Sequence, residues 1–199
     1  MSGHPHIPLR AILFDMDGTL TAPMLDFPKI KSEMGIGSRP ILETLAEMSA
    51  EQREAAEEVL HRHEDHAAEH STLNDGCIEL LNWIAARGWR TAIITRNRLK
   101  SAQTVLDRHA IRVDVLLTRD DGLFKPDPAS LWLACRRLEV LPAESWMVGD
   151  GSHDIEAGIA AGIRTVWISH DQPKSFAAEP WRSVVGLVEL HEMLREIVE

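Results

Sequence analysis

Ala11-Ile12-Leu13-Phe14-Asp15-Met16-Asp17-Gly18-Thr19-Leu20 decides the reading of this chain. Four successive apolar residues closed by Asp and Gly describe a strand buried on both faces, as parallel strands are, whose carboxyl end opens into a loop. Open α/β sheets bind ligands at such strand ends, so Asp15 and Asp17 stand where chemistry is expected. Two carboxylates two residues apart can divide labour. One attacks an electrophile, its neighbour moves a proton, and the pair offers hard oxygen ligands to a divalent cation. Asp-x-Asp-Gly is also ordinary turn chemistry, so the choice between the two rests on the remaining segments.

Working outward, Thr91-Ala92-Ile93-Ile94, Val113 to Leu117, Trp146-Met147-Val148 and Thr165 to Ile168 read as four more buried strands. Helical patterns alternate with them. Ile78, Leu81, Ile84 and Ala85 form a stripe stopped by Gly88, and Leu99 to His109, Ala129 to Leu138, the Ala- and Gly-rich run after Asp154, and Leu187 to Val198 complete the set. This alternation predicts an α/β fold with a doubly wound, parallel five-stranded sheet and right-handed crossovers. The section after Leu20 departs from the pattern. Asp26 to Met34 and Arg39 to Met48 suit short helices separated by Gly35-Ile36-Gly37-Ser38, and Ser49-Ala50-Glu51-Gln52 opens a longer one with a capping box. The chain therefore divides into an α/β core, 1–22 and 75–199, and a small inserted helical unit, 23–74, placed as a cap over the core.

At 199 residues, 44% of them hydrophobic, the chain can bury a core of that size. Its formal charge of −10 argues against nucleic acid or an anionic membrane as partner, while leaving a phosphorylated substrate open to local basic groups and a metal. Cys77 and Cys135 are too few for a disulfide framework or a structural zinc site, which points to a reducing cytoplasm. No apolar run approaches membrane-spanning length, and Met1-Ser2-Gly3-His4-Pro5-His6-Ile7-Pro8 lacks the parts of a secretion signal.

Four polar clusters, at 15 to 19, 95 to 97, 125 and 150 to 154, fall after strands or in the loops feeding the next helix. All face one end of the predicted sheet. Together they supply acids, a hydroxyl and a lysine, which suits phosphoryl transfer, where positioning and electrostatic stabilisation of the phosphoryl oxygens do most of the work.

Asp15-Met16-Asp17-Gly18-Thr19-Leu20, Thr95, Lys125, and Gly149-Asp150 followed by Asp154 resemble the four motifs of the haloacid dehalogenase-like superfamily, in its phosphoglycolate phosphatase-like branch with a small helical (C1-type) cap. The resemblance implies that Asp15 is the nucleophile, forming an aspartyl-phosphate, and Asp17 the acid/base. It implies phosphate binding by Thr95 and Lys125 with backbone N–H groups of Met16 and Gly18, and Mg²⁺ held by Asp15, the Asp17 carbonyl, Asp150 and Asp154. Dehalogenases of this family lack the acid matching Asp17 and need no metal, so Asp17 argues for a phosphatase acting on a small-metabolite monoester, a sugar phosphate or a phosphoglycolate-like acid. A phosphomutase of the beta-phosphoglucomutase type and a catalytically idle binding module are the alternatives. A monomer or homodimer is expected.

Arg96 stands where Asn commonly follows the Thr or Ser of the second motif. It is placed with the phosphate-binding set, reaching a second anionic group of the substrate, against an outward position at a helix start. His61, His63, His66 and His70 are interleaved with Glu64, Asp65 and Glu69, which favours a solvated helix face over zinc. Lys29 and Lys31 are read as surface residues, and His153 as solvent-exposed beside the acidic loop. The six tryptophans, dispersed over helices and strands, are assigned to packing.

Overall fold

The computed structural model describes residues 8–198; residues 1–7 of the segment read for a secretion signal lie outside it. Six strands form one parallel sheet: β1 (Ala11–Phe14), β2 (Arg90–Ile94), β3 (Val115–Leu117), β4 (Ser145–Gly149), β5 (Arg164–Ile168) and β6 (Arg182–Val184), in spatial order β3-β2-β1-β4-β5-β6. The order reverses between β1 and β4, whose registers align Phe14 with Val148. That junction is the switch point at which doubly wound sheets open a crevice.

The sixth strand corrects the expected five. β6 is three residues long with Arg182 and Ser183 exposed, so it carries no apolar run to announce it; its backbone pairing to β5 makes it a strand.

Successive residues of β1 serve opposite faces, as strand periodicity requires. Ile12 and Phe14 pack against α4 (Cys77–Ala86), α5 (Leu99–His109) and α8 (Leu187–Val198). Ala11 and Leu13 pack against α6 (Ala129–Leu138) and α7 (Ser152–Ala161). Each fully buried Leu, Ile or Phe contributes about 1.5–3 kcal/mol, so β1 is held from both sides and fixes the start of the Asp15 loop. The tryptophans largely share in this packing, but Trp132 is 49% exposed, its indole N–H donating to the Ala161 carbonyl.

Three helices lie between β1 and α4: α1 (Phe27–Glu33), α2 (Ile41–Glu47) and α3 (Ala50–His70). Asp26 caps α1 by accepting from Lys29 N–H, and Ser49 and Gln52 close the capping box of α3. These helices share an apolar cluster of their own, formed by Ile30, Ile36, Ile41, Leu42, Leu45, Ala56 and Leu60 with Phe124 packed against it. On α3 the buried stripe Ala56, Leu60, Glu64, Ala67 and Ala68 includes a charge, and Glu64 is only 3% exposed. Of the histidines of α3, His63 meets Glu33 across on α1, His70 meets the His66 carbonyl one turn back, and His66 and His70 are exposed. No described helix is long and apolar enough to cross a membrane.

Candidate active site

The loops after β1, β2 and β4 and the segment before α6 converge above the β1–β4 junction. They line, with α1 to α3, a cavity of about 390 Å³ that contains Asp15, Asp17, Gly18, Thr95, Lys125 and Asp150. Asp15 is fixed by its backbone N–H, which donates to the Val148 carbonyl at 2.9 Å, continuing the β1–β4 ladder by one residue. The loop beyond is tied down as well. Leu20 and Thr21 N–H donate to the Met16 carbonyl, and the Asn74 side-chain amide donates to the Thr19 and Thr21 carbonyls.

Lys125, 1% exposed, is the positive centre of the site. Its Nζ donates to Asp15 Oδ1 and Asp154 Oδ1, each at 2.6 Å. Burial alone would lower the pKa of the ammonium, but Asp15 and Asp154 outweigh burial and hold it above the ordinary lysine range. Asp154 is oriented further by the Gly151 N–H, which donates to its Oδ2 at 3.0 Å.

The other acids share one positive charge among several negative ones. Burial pushes Asp15 up to about 6, with Lys125 pulling it down and Asp154 pushing it further up. Burial also raises Asp150 to about 7, helped by Asp15 and Asp154. Oxygens of Asp15, Asp150 and Asp154 all lie within 4.8 Å of one another. Three carboxylates so close repel one another, and a single ammonium does not offset them all. A divalent cation with a preference for hard oxygen donors fits this set, because it would supply the missing positive charge.

Asp17 stands apart from that cluster. Its Oδ2 accepts from Asn97 Nδ2 at 2.7 Å, while burial and then the Asp15 charge raise its pKa to about 7. A carboxyl near 7 can both give and take a proton at neutral pH. Thr95 Oγ1 accepts from Asn97 N–H at 3.1 Å, which leaves the hydroxyl proton free to donate into the cavity.

The remaining candidates take different positions. Arg96 lines the cavity, but its guanidinium bonds to the Lys125 carbonyl and to both carboxylate oxygens of Glu43 on α2, the latter at 3.1 Å each. His153 also lines the cavity and is half-buried rather than solvent-exposed. Lys31, read as a surface lysine, reaches the cavity from the end of α1. Asn97 and Glu64 are cavity-lining residues that the sequence reading assigned no role. Asn97 was legible as a polar residue two positions after Thr95. Glu64 was legible only as a charge on the otherwise apolar Ala56-Leu60-Ala67 stripe.

At the site, Gly18 and Gly149 are required by close approach. A Cβ on Gly18, whose φ is +76°, would stand 2.2 Å from Asp150 Oδ2, and one on Gly149 would stand 2.2 Å from Asp154 Cγ. Gly18→Ala is therefore expected to drive Asp150 off its position. Turnover of 4-nitrophenyl phosphate should fall about 100-fold, since displacements near 1 Å carry costs of that order. Full activity in that variant would mean that the loop and Asp150 need not approach.

Residues 9–162 match the family model described as haloacid dehalogenase-like hydrolase. An N-acetylmuramic acid 6-phosphate phosphatase of Pseudomonas aeruginosa is 30% identical over 86% of this chain and 89% of its own. A phosphoglycolate phosphatase of Chromobacterium violaceum is 24% identical over 94% of this chain and 97% of its own. Among solved structures, a hydrolase from Pseudomonas syringae superposes with a TM-score of 0.80 at 19% identity, covering 94% of this chain and 99% of that one.

Proposed function

We propose, for a chain that belongs to the haloacid dehalogenase-like hydrolases and is a phosphoric monoester hydrolase, that the substrate is the phosphate ester of a small, sugar-sized acid and that Mg²⁺ is the cation. The observation that carries the chemistry is Asp15 at the open end of β1, its Oδ1 at 2.6 Å from Lys125 Nζ, with Asp17 beside it.

Asp15 is then the nucleophile. Its carboxylate oxygen bonds to phosphorus as the bond from phosphorus to the leaving alcohol breaks, and the alcohol oxygen takes the proton of Asp17. Asp17, now ionised, accepts a proton from the water that attacks the aspartyl-phosphate, and inorganic phosphate leaves Asp15 free. Asn97 holds the Asp17 carboxyl in place for both transfers. Lys125, the Thr95 hydroxyl and the backbone N–H groups of Met16 and Gly18 receive the phosphoryl oxygens. Asp15, the Asp17 carbonyl, Asp150 and Asp154 would hold Mg²⁺, which when bound stabilises charge on the transferring group.

Residues 23–74 act as the cap and 1–22 with 75–199 as the core. The separate apolar cluster of α1, α2 and α3 supports that division. The cap contributes Met24, Leu25, Ile41, Leu42 and Leu60 to the cavity wall, together with Lys31. A cavity of about 390 Å³ with this apolar wall exceeds what a two-carbon acid fills, which favours a hexose derivative over phosphoglycolate. The relatives support an acidic leaving group: N-acetylmuramic acid and glycolate both carry a carboxylate. The cytoplasm and a monomeric or homodimeric state belong to the same reading.

A panel of phosphate monoesters assayed for phosphate release tests it. N-acetylmuramic acid 6-phosphate and related sugar acid phosphates are expected to give kcat/KM at least tenfold above neutral hexose 6-phosphates and 2-phosphoglycolate. Equal rates across the panel would remove the assigned substrate class.

A further inference from the structure

Two carboxylates of the inserted helices hold arginines that, in turn, bond to the backbone of the loops bearing the proposed catalytic groups. Glu43 on α2 accepts from Arg96, and Arg96 donates to the Lys125 carbonyl. Glu64 on α3 pairs with Arg119, with Nη2 at 3.0 Å from Oε2, and Arg119 donates to the Arg96 carbonyl. The Arg119 N–H also donates to the Asn97 carbonyl at 3.0 Å. The carbonyls of Lys125, Arg96 and Asn97, on the loops that also carry Thr95, are thus each taken by one of two arginines, both gripped by the insert.

We infer that Arg96 and Arg119 are positioning residues through which α2 and α3 set the loops carrying Thr95, Asn97 and Lys125. The inference rests on the phosphatase reading. Arg96 then acts through Lys125 rather than on the substrate. Its Nη2 donates to both Glu43 oxygens, its Nη1 donates to the Lys125 carbonyl, and its guanidinium carbon lies 5.4 Å from the Phe124 ring centroid. A planar guanidinium can serve both targets at once, whereas a lysine ammonium on a flexible stem presents no such fork. Arg119 does the same from the other side: one nitrogen reaches both Glu64 and the Arg96 carbonyl. Seating of the insert is thereby coupled to the geometry of the phosphoryl-binding groups.

The Arg96–Glu43 arm is the one to test, because Glu43 is 38% exposed and a glutamine there keeps an oxygen that can accept from Arg96. Four proteins form a double-mutant cycle: the wild type, Glu43→Gln, Arg96→Met and the pair, with 4-nitrophenyl phosphate as substrate and thermal unfolding as the check on folding. Each single variant is expected to lose about tenfold in kcat with KM changed less than about twofold, and the double variant to be no worse than Arg96→Met. Arg96→Lys should resemble Arg96→Met, since a lysine keeps the charge and loses the fork. Additive losses, a loss confined to KM, or full rescue by lysine would each overturn the inference, the second by putting Arg96 on the substrate. If the wild type itself releases no phosphate from any monoester, the phosphatase reading has failed, and the inference falls with it. Wild-type activity accompanied by unchanged variants removes only the inference.

Discussion

Asp15→Asn should reduce the turnover of any phosphate monoester by about 10⁴-fold or more while leaving the fold in place. The size follows from the role. If Asp15 is the nucleophile, the amide cannot form the acyl-phosphate, and removing a nucleophile from a constellation that acts as a unit typically abolishes all but background catalysis. The fold should survive because the backbone bond from Asp15 N–H to the Val148 carbonyl does not involve the side chain. Nor does the substitution strand Lys125, which keeps Asp154 at 2.6 Å. The buried carboxyl of Asp15 is held against burial and a neighbouring negative charge, so a neutral isostere should leave the unfolding midpoint equal or slightly raised. Two measurements check this. Phosphate release gives the rate, and rapid quenching of the wild type followed by peptide mass spectrometry should find the phosphoryl group on the peptide containing Asp15. Retained turnover in Asp15→Asn, or a phosphoryl group on another peptide, would dismiss Asp15 as nucleophile.

The alternation that predicted the sheet was readable because parallel strands buried on both faces are continuous apolar runs, and β1, β2, β4 and β5 all have one. β6 lacked that signal, because an edge strand held by backbone pairing needs no apolar face. The site acids were readable for a related reason. Loops at strand ends must carry polar residues, and Asp15, Asp17 and Asp150 follow unmistakable strands. Side-chain direction was not readable. Arg96 and Lys31 both sit where a substrate could be met, yet Arg96 turns to Glu43 on a helix 53 residues earlier, and nothing local to Thr95-Arg96-Asn97 specifies that partner. Glu64 was concealed by its setting. On a helix as polar as α3 a single Glu looks solvated, and only the packing of α3 against the core, with Arg119 waiting there, makes its burial tolerable.

Excess EDTA should silence the enzyme, Mg²⁺ should restore it, and the unfolding midpoint should record the binding independently of turnover. The sign of the pH effect follows from the acids. In the folded chain Asp15 rises to about 6 and Asp150 to about 7 from an ordinary 3.8, with burial as the first cause of each. Between roughly pH 4 and 7 these two carboxyls therefore bind more protons in the folded state than in the unfolded chain, so their contribution to stability in EDTA should fall as pH rises through that window and level off above it. Magnesium competes with those protons for the same oxygens. Its stabilisation should be small at pH 5.5 and large at pH 7.5, where a concentration of 100 times Kd corresponds to about 2.7 kcal/mol. For a chain of this length that is a rise of roughly 5–10 °C in the midpoint. Calorimetric or fluorescence melts at the two pH values, with and without Mg²⁺, read this directly. Turnover persisting in excess chelator, or a midpoint indifferent to Mg²⁺ at pH 7.5, would leave the oxygen cluster of Asp15, Asp150 and Asp154 without its cation.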